Sequence, residues 1–140
     1  MNEPYVLLVE DREEDIELTL RAFKRARLLN EIVVKHDGVE ALEYLRTADA
    51  PALMLIDINM PRMNGIELLQ HVRALEHLRF VPAIMLTSSP EERDLIASYD
   101  RGANSYVRKP VASADFADLI GRLGMYWIVM NQLPATKSSP

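Results

Sequence analysis

Residues 53–61 of the chain read Leu-Met-Leu-Ile-Asp-Ile-Asn-Met-Pro, an apolar run that reaches an aspartate at Asp57. A continuous apolar run of this length predicts a strand that is buried on both faces, as strands are inside a parallel sheet. In an open sheet of this kind, the carboxyl ends of the central strands form the ligand crevice. Asp57 is therefore a candidate reactive group, although an aspartate at a strand end is also common as the cap of a turn.

Strand-like and helical patterns alternate along the rest of the chain. Apolar strand-like segments occur at 5–9, 31–36, 82–87 and 105–108, and each of them, like the central one, precedes an amphipathic or capped helical pattern. In the first helical pattern, Ile16, Leu20 and Phe23 are expected on the inner face. Five strand–helix units predict an α/β fold with a doubly wound, five-stranded parallel sheet in the flavodoxin-like order 2-1-3-4-5 and five helices.

The composition is that of one soluble domain. The chain has 140 residues, of which 49% are hydrophobic and 26% charged. Its net charge of -5 argues against a nucleic-acid partner, and the lack of cysteine excludes disulfides and thiol chemistry. Neither a signal sequence nor a membrane-spanning apolar run is present, so we expect a cytoplasmic protein without a membrane partner. We expect one domain over residues 1–131, a flexible tail over 132–140 and no attached output domain.

Acidic, hydroxyl and lysine side chains follow the predicted strands. Glu10 and Asp11 follow the first strand, Asp57 and Thr87 end the third and fourth, and Lys109 follows the fifth. Because the carboxyl ends of parallel strands share one edge, these side chains should converge there. Three clustered carboxylates need a cation, and a few oxygen ligands describe a Mg²⁺ site. A lysine and a hydroxyl beside it suit a phosphoryl group, which the Asp57 carboxylate could accept as a nucleophile.

Each of these residues also has an ordinary structural interpretation. Glu10 and Asp11 could be helix-capping acids, Thr87 a strand former and Lys109 a solvated charge. Their joint arrival at one edge favours the phosphoryl site over these separate explanations.

These residues, together with Met60-Pro61, Gly65, Ser88-Ser89 and Lys109-Pro110, resemble the receiver domains of two-component response regulators. The resemblance implies a signalling domain that is not an enzyme beyond its own phosphotransfer and dephosphorylation. The phosphoryl donor would be a histidine kinase or a phosphotransfer protein. The alternative is a phosphorylation-independent adaptor on the same fold.

The resemblance also implies roles for single residues. Asp57 is the phosphoacceptor, Thr87 and Lys109 bind the phosphoryl group, and Tyr106 acts with Thr87 as the switch. Mg²⁺ is held by the carboxylates of Glu10, Asp11 and Asp57 and by the backbone carbonyl of Asn59. Asn59 and Ser89 modulate the lifetime of the phosphorylated form. The pair Glu10-Asp11 departs from the more usual Asp-Asp, and we expect the longer Glu10 to keep the charge but to alter the geometry and affinity of metal binding.

Six consecutive apolar residues lie near the end of the chain. A helix on a sheet needs only one apolar stripe, so the surplus predicts a partner surface or a dimer seam. The alternative is that this turn folds back over the edge of the core. The Tyr-Trp pair, the Asn and Pro that follow it, and Pro61-Arg62 resemble single-domain regulators associated with bacterial phytochrome kinases, which implies a light-sensing donor kinase and a homodimer. The six residues are Met125, Tyr126, Trp127, Ile128, Val129 and Met130.

Overall fold

The chain is described here from a computed structural model, which describes residues 4–87, 97, 99–109 and 113–130. Five parallel strands form one sheet in the order β2-β1-β3-β4-β5, so the predicted topology is confirmed. The strands are β1 (Tyr5–Val9), β2 (Glu31–Lys35), β3 (Leu53–Asp57), β4 (Ala83–Thr87) and β5 (Ser105–Arg108).

Four α-helices are described within these residues. They are α1 (Glu13–Arg25), α2 (Gly38–Thr47), α3 (Gly65–Arg73) and α4 (Ser113–Gly124), and a 3₁₀ turn follows α3 at Glu76–Leu78. The helix predicted between β4 and β5 falls mostly outside the described residues, although Ala97, Tyr99 and Asp100 have helical backbone. Within the described part of the chain, every helix is too short or too polar to traverse a bilayer.

Alternation along the strands divides the core into two layers. From β3, Met54 and Ile56 pack on the side of α2 and α3, whereas Leu53 and Leu55 pack on the side of α1 and α4. All four side chains are fully buried. The sheet is therefore covered on both faces, which explains why the sequence of β3 is apolar without interruption.

The inner face of α1 differs from the prediction at one position. Ile16, Thr19 and Phe23 are buried, but Leu20 is 39% exposed, so its predicted inner placement was wrong. Thr19 takes the inner position because its hydroxyl donates to the backbone carbonyl of Asp15 at 2.8 Å, which satisfies the buried oxygen.

Helix starts fix the loops around the carboxyl edge of the sheet. Asp37 caps α2 by accepting the backbone N–H of Glu40 at 2.8 Å. Asn64 and Glu67 form a reciprocal capping box at the start of α3. The loop between β3 and α3 is therefore fixed at both ends, by Asp57 at the end of β3 and by the capping box at the start of α3.

The apolar segment after α4 continues as a π-helix, Met125–Met130, with two kinds of side chain. Trp127 and Ile128 pack against the core layer between the sheet and the pair α1 and α4. Met125, Tyr126 and Val129 are 39%, 49% and 60% exposed. Part of the segment thus covers the edge of the core, and part stays open to solvent.

Candidate functional site

The carboxyl edge of the sheet gathers most of the predicted site residues. Asp57 and Thr87 are the last residues of neighbouring strands β3 and β4, and Glu10 comes directly after β1. These three polar residues are almost completely buried, with exposed fractions of 4%, 0% and 2%. Burial of several polar groups at one strand edge is costly unless each finds partners, so their contacts define the site.

Three carboxylates lie close enough together to share one cation. Glu10, Asp11 and Asp57 each offer an oxygen atom within 4.8 Å of the other two, and Asp11 is the exposed member. Burial, and after it the charge of Asp57, raises the pKa of Glu10 to about 8. Burial also raises the pKa of Asp57, and the opposing charge of Lys109 does not offset this. Two buried acids that resist ionisation together, beside an exposed third, fit a hard divalent cation.

The loop after β3 turns back over these acids. The backbone N–H of Asn59 donates to Oδ1 of Asp57 at 3.4 Å, and the Asn59 residue is exposed. The carbonyl predicted as a metal ligand belongs to this same loop. That the Asn59 carbonyl adds a neutral oxygen ligand beside the three carboxylates stays a prediction.

Lys109 reaches into the acid cluster from the loop after β5. Its Nζ atom lies 2.7 Å from Oε1 of Glu10, 2.8 Å from Oδ2 of Asp15 and 3.7 Å from Oδ1 of Asp57. Burial lowers the pKa of Lys109, but the hydrogen bonds and charges of these three acids outweigh it, so the pKa is raised. The ammonium group is thus held charged inside the site, where electrostatic interactions are strong.

Thr87, at the end of β4, contacts both the loop after β3 and the loop after β5. The backbone N–H of Lys109 donates to the Thr87 carbonyl at 2.7 Å, and the Nδ2 group of Asn59 donates to the Thr87 hydroxyl oxygen at 3.4 Å. The second of these bonds is long and therefore weak. The Thr87 residue is fully buried at the site, and its hydroxyl oxygen accepts this long bond.

The remaining predicted residues are less central. Tyr106 lies on β5 beside Met85 of β4 and is partly buried on the side of α2 and α3. Ser89, predicted to modulate phosphate lifetime, lies outside the described residues. The structure therefore gathers Glu10, Asp11, Asp57, Asn59, Thr87 and Lys109, with Tyr106 on the adjoining strand.

Asp15 was missed as a member of this site. Asp15 follows Glu13 and Glu14 in the first turn of α1, where the helix dipole favours acids, and its sequence position suggests that role. The structure instead directs its carboxylate to Lys109. A signal was available, because Asp15 is four residues before the buried Thr19 and seven before the buried Ala22. Residues at this spacing share one helix face, so Asp15 belongs to the face that meets the sheet.

A second missed contact fixes the loop between β3 and α3. Arg62 has a left-handed backbone, with φ of 66°, and donates from Nη2 and Nε to Oδ2 of Asp37 at 2.7 and 3.0 Å. A left-handed non-glycine residue costs about 1–2 kcal/mol, which this paired hydrogen bond helps to offset. The loop that bears Asn59 is thereby tied to the start of α2.

The chain matches the response regulator receiver domain family over residues 6–121. It belongs to this family. Response regulator Rcp1 of Synechocystis sp. is 30% identical to it over 136 residues, which cover 93% of this chain and 92% of Rcp1. The Mn²⁺-bound form of response regulator Rcp1 aligns with a TM-score of 0.87 at 29% identity, over 95% of this chain and 100% of that one.

Two further solved structures are similar over nearly the whole chain. The phosphorylated cyanobacterial phytochrome response regulator RcpA has a TM-score of 0.89 at 30% identity, over 96% of this chain and 100% of its own. The bacteriophytochrome response regulator RtBRR has a TM-score of 0.72 at 46% identity, over 96% of this chain and 85% of its own. The predicted family and the likeness to phytochrome-associated regulators are both confirmed.

Proposed function

We propose that this receiver domain accepts a phosphoryl group on Asp57 from a histidine kinase or phosphotransfer protein, in a Mg²⁺-dependent reaction. The observation that carries the proposal is the convergence of buried Asp57, the acids Glu10 and Asp11, and the charged Lys109 at one sheet edge. An anionic nucleophile, a cation pocket and an ammonium group are what transfer of a dianionic phosphoryl group requires.

The chemistry follows from the positions of these groups. A carboxylate oxygen of Asp57 forms a new P–O bond while the P–N bond to the donor histidine breaks, and the electron pair passes to the imidazole nitrogen. Glu10, Asp11, Asp57 and the backbone carbonyl of Asn59 would hold Mg²⁺, which would neutralise the charge of the phosphoryl oxygens when bound. Lys109 donates to a phosphoryl oxygen, because its Nζ atom already lies 3.7 Å from Oδ1 of Asp57.

The switch begins at Thr87. Its hydroxyl donates to a phosphoryl oxygen, and Tyr106 on the next strand turns inward in response. Asn59 is exposed beside Asp57, so it governs the access of the water that removes the phosphoryl group, together with Ser89. The support for this step is the position of the Thr87 hydroxyl, which the Asn59 side chain, two residues after Asp57, reaches at 3.4 Å.

The donor and the output follow from the relatives and the surface. We infer that the donor kinase is a bacteriophytochrome, because RcpA and RtBRR, which are phytochrome response regulators, are similar over nearly the whole chain. The proposed domain spans residues 1–131 with a tail at 132–140, works in the cytoplasm, and signals through protein contacts or onward phosphotransfer. It forms a homodimer through the exposed side chains after α4.

The test compares the wild type with Asp57→Asn. In the presence of Mg²⁺ and a small phosphodonor, intact-mass measurement should show one added phosphoryl group on the wild type and none on Asp57→Asn. Asp118→Asn is the matched control, because it removes the same charge from a side chain that is 67% exposed on α4. Equal modification of the wild type and Asp57→Asn, or no modification of either, would refute the assignment and favour the phosphorylation-independent adaptor.

Partner identity needs a second experiment. A light-sensing histidine kinase carrying labelled phosphate should transfer it to the wild type and not to Asp57→Asn. Transfer that is equally fast from an unrelated histidine kinase would contradict the bacteriophytochrome assignment while leaving phosphoacceptance intact.

A further inference from the structure

Asp15 and Lys109 form a close ion pair at the edge of the site. Oδ2 of Asp15 lies 2.8 Å from Nζ of Lys109, and the two side chains are 15% and 10% exposed. Ion pairs on the open surface contribute little, because solvent screens them and both side chains must be ordered. This pair is largely shielded from solvent, so its charge-assisted hydrogen bond is stronger.

The three N–H groups of Lys109 explain what this pair does. An ammonium group has three donors. Glu10 and Asp15 accept two of them at 2.7 and 2.8 Å, while Oδ1 of Asp57, at 3.7 Å, lies beyond hydrogen-bonding distance. Fixing two donors restricts the direction of the third, which is left for a group at Asp57.

Glu10 and Asp15 differ in the other demands on them. Glu10 belongs to the group of three carboxylates that could hold a cation, so its oxygens serve the metal as well as Lys109. Asp15 is outside that group. Its backbone position is also fixed, because the backbone carbonyl of Asp15 accepts a hydrogen bond from the buried Thr19 hydroxyl at 2.8 Å, one turn along α1.

We propose that Asp15 is a positioning residue for phosphoryl capture, which holds the Lys109 ammonium group so that its third N–H meets a phosphoryl oxygen on Asp57. The inference rests on the proposed function. Its physical basis is preorganisation: a donor that is already oriented needs no reordering when the phosphoryl group arrives. The opposite role, in which Asp15 withholds Lys109 from the phosphoryl group, would give the opposite sign in the test.

The first test measures, by calorimetry in saturating Mg²⁺, the affinity of the protein for beryllofluoride, which mimics the phosphoryl group. Asp15→Ala should weaken binding by about tenfold relative to the wild type. Asp15→Asn should fall between them, since its amide oxygen can still accept one N–H of Lys109. Glu14→Ala is the control, because it removes the same charge from the neighbouring residue of α1, which is exposed, and it should bind as the wild type does. Wild-type or tighter binding by Asp15→Ala would overturn the proposal.

The second test separates positioning from a merely structural role. The rate of phosphorylation by phosphoramidate, in which an Asp57 oxygen replaces ammonia on phosphorus, is followed by intact mass for Asp15→Ala, Lys109→Ala and the double variant. If Asp15 acts through Lys109, adding Asp15→Ala to the wild type should lower the phosphorylation rate about tenfold, whereas adding it to Lys109→Ala should lower the rate little. Independent, multiplicative losses in the double variant would overturn the proposal.

The proposed function and this inference fail in different ways. A wild type that neither binds beryllofluoride nor is phosphorylated refutes the phosphoacceptor assignment, and the Asp15 proposal with it. A wild type that responds, an Asp57→Asn variant that does not, and an Asp15→Ala variant that behaves as the wild type refute the Asp15 proposal alone.

Discussion

Gly65, the first residue of α3, packs directly against the backbone carbonyl oxygen of Asp57, the last residue of β3. A Cβ atom at Gly65 would overlap that oxygen and would lie 2.9 Å from the Cα atom of Ile58. The backbone N–H of Gly65 also donates to the Ile58 carbonyl at 2.9 Å. The start of α3 is therefore packed against the segment that carries Asp57, at a distance that only glycine permits.

Gly65→Ala should destabilise the protein by about 1–3 kcal/mol, because the crowded neighbours are backbone atoms that cannot rotate away. The displacement acts on Asp57 itself, so phosphorylation by a small donor should also slow. Urea unfolding and a phosphorylation time course measure the two effects.

Gly121→Ala is the matched control for this substitution. Gly121 lies inside α4, and the nearest atom to its added Cβ is the Cβ of Ala26 at 3.6 Å, an ordinary contact. Replacing a glycine inside a helix by alanine should stabilise by about 0.5–1 kcal/mol. If Gly65→Ala were as stable as the wild type, the tight approach of α3 to Asp57 would not exist in solution.

The acid cluster predicts a stability that depends on pH and metal. Burial, followed by the charge of Asp57, raises the pKa of Glu10 from 4.5 to about 8 in the folded state. Because Glu10 binds its proton more tightly in the folded protein than in the unfolded chain, the protonated carboxyl adds to the free energy of unfolding. This contribution is complete below pH 4.5 and is lost as the pH rises through about 8. In the presence of a chelator, the metal-free protein should therefore lose stability as the pH rises between these values. Added Mg²⁺ should restore the stability at the alkaline end.

Thermal unfolding across this pH range, with chelator or with Mg²⁺, measures the effect. Glu10→Gln should flatten the profile of the chelated protein and reduce the gain from Mg²⁺, because the amide neither titrates nor neutralises the metal. A wild-type profile that matches Glu10→Gln in chelator would show that Glu10 is ionised without strain at neutral pH.

Much of the fold could be predicted because burial leaves a direct mark on the sequence. The uninterrupted apolar run at Leu53–Asp57 indicates a strand covered on both faces, and the structure supplies the two core layers that it requires. The convergence of Asp57, Thr87 and Lys109 followed from the same reasoning, because parallel strands end at a common edge. These inferences need only the order and the type of each element.

Contacts between distant residues could not be predicted in this way. The pairs Asp15 with Lys109 and Asp37 with Arg62 join residues that are 94 and 25 positions apart, and they depend on side-chain reach across the sheet edge. Periodicity can assign Asp15 to the inner face of α1 but cannot name its partner. A segment that is apolar all round, such as Met125–Met130, likewise gives no sign of which side chains turn to the core.

The contact between Asp37 and Arg62 predicts a graded effect on stability. Asp37→Ala removes both the cap of α2 and the bond to Arg62, so it should cost about 1–2 kcal/mol. Asp37→Asn keeps an equally good cap and loses only the charge, so its loss should be smaller. Urea unfolding at neutral pH should rank the wild type first, Asp37→Asn second and Asp37→Ala last.

The same carboxyl gives this contact a pH dependence of known sign. The hydrogen bond from the Glu40 backbone is the largest cause that lowers the pKa of Asp37 below 3.8, and Arg62 adds to it. Because the pKa of Asp37 is lower in the folded protein than in the unfolded chain, the ionised carboxyl adds to the free energy of unfolding above pH 3.8. This contribution is lost as the pH falls through the pKa of the folded protein. The advantage of the wild type over Asp37→Asn should therefore vanish in acid. A difference that persists there would show that charge is not its origin.

The exposed side chains after α4 predict a homodimer that substitution can break without unfolding the chain. Met125 and Val129 are 39% and 60% exposed, so Met125→Asp with Val129→Asp should turn a dimer into a monomer in sedimentation experiments, because the charges cannot be buried between two copies. Unfolding free energy of the monomer should change little, whereas Trp127→Asp should destabilise it, since Trp127 packs against the core. Leu29→Asp is the control, because it puts the same charge on an apolar residue that is 88% exposed but is not part of the segment Met125–Met130, and it should leave the dimer intact. If the double variant Met125→Asp, Val129→Asp sediments as the wild type does, any self-association uses another surface.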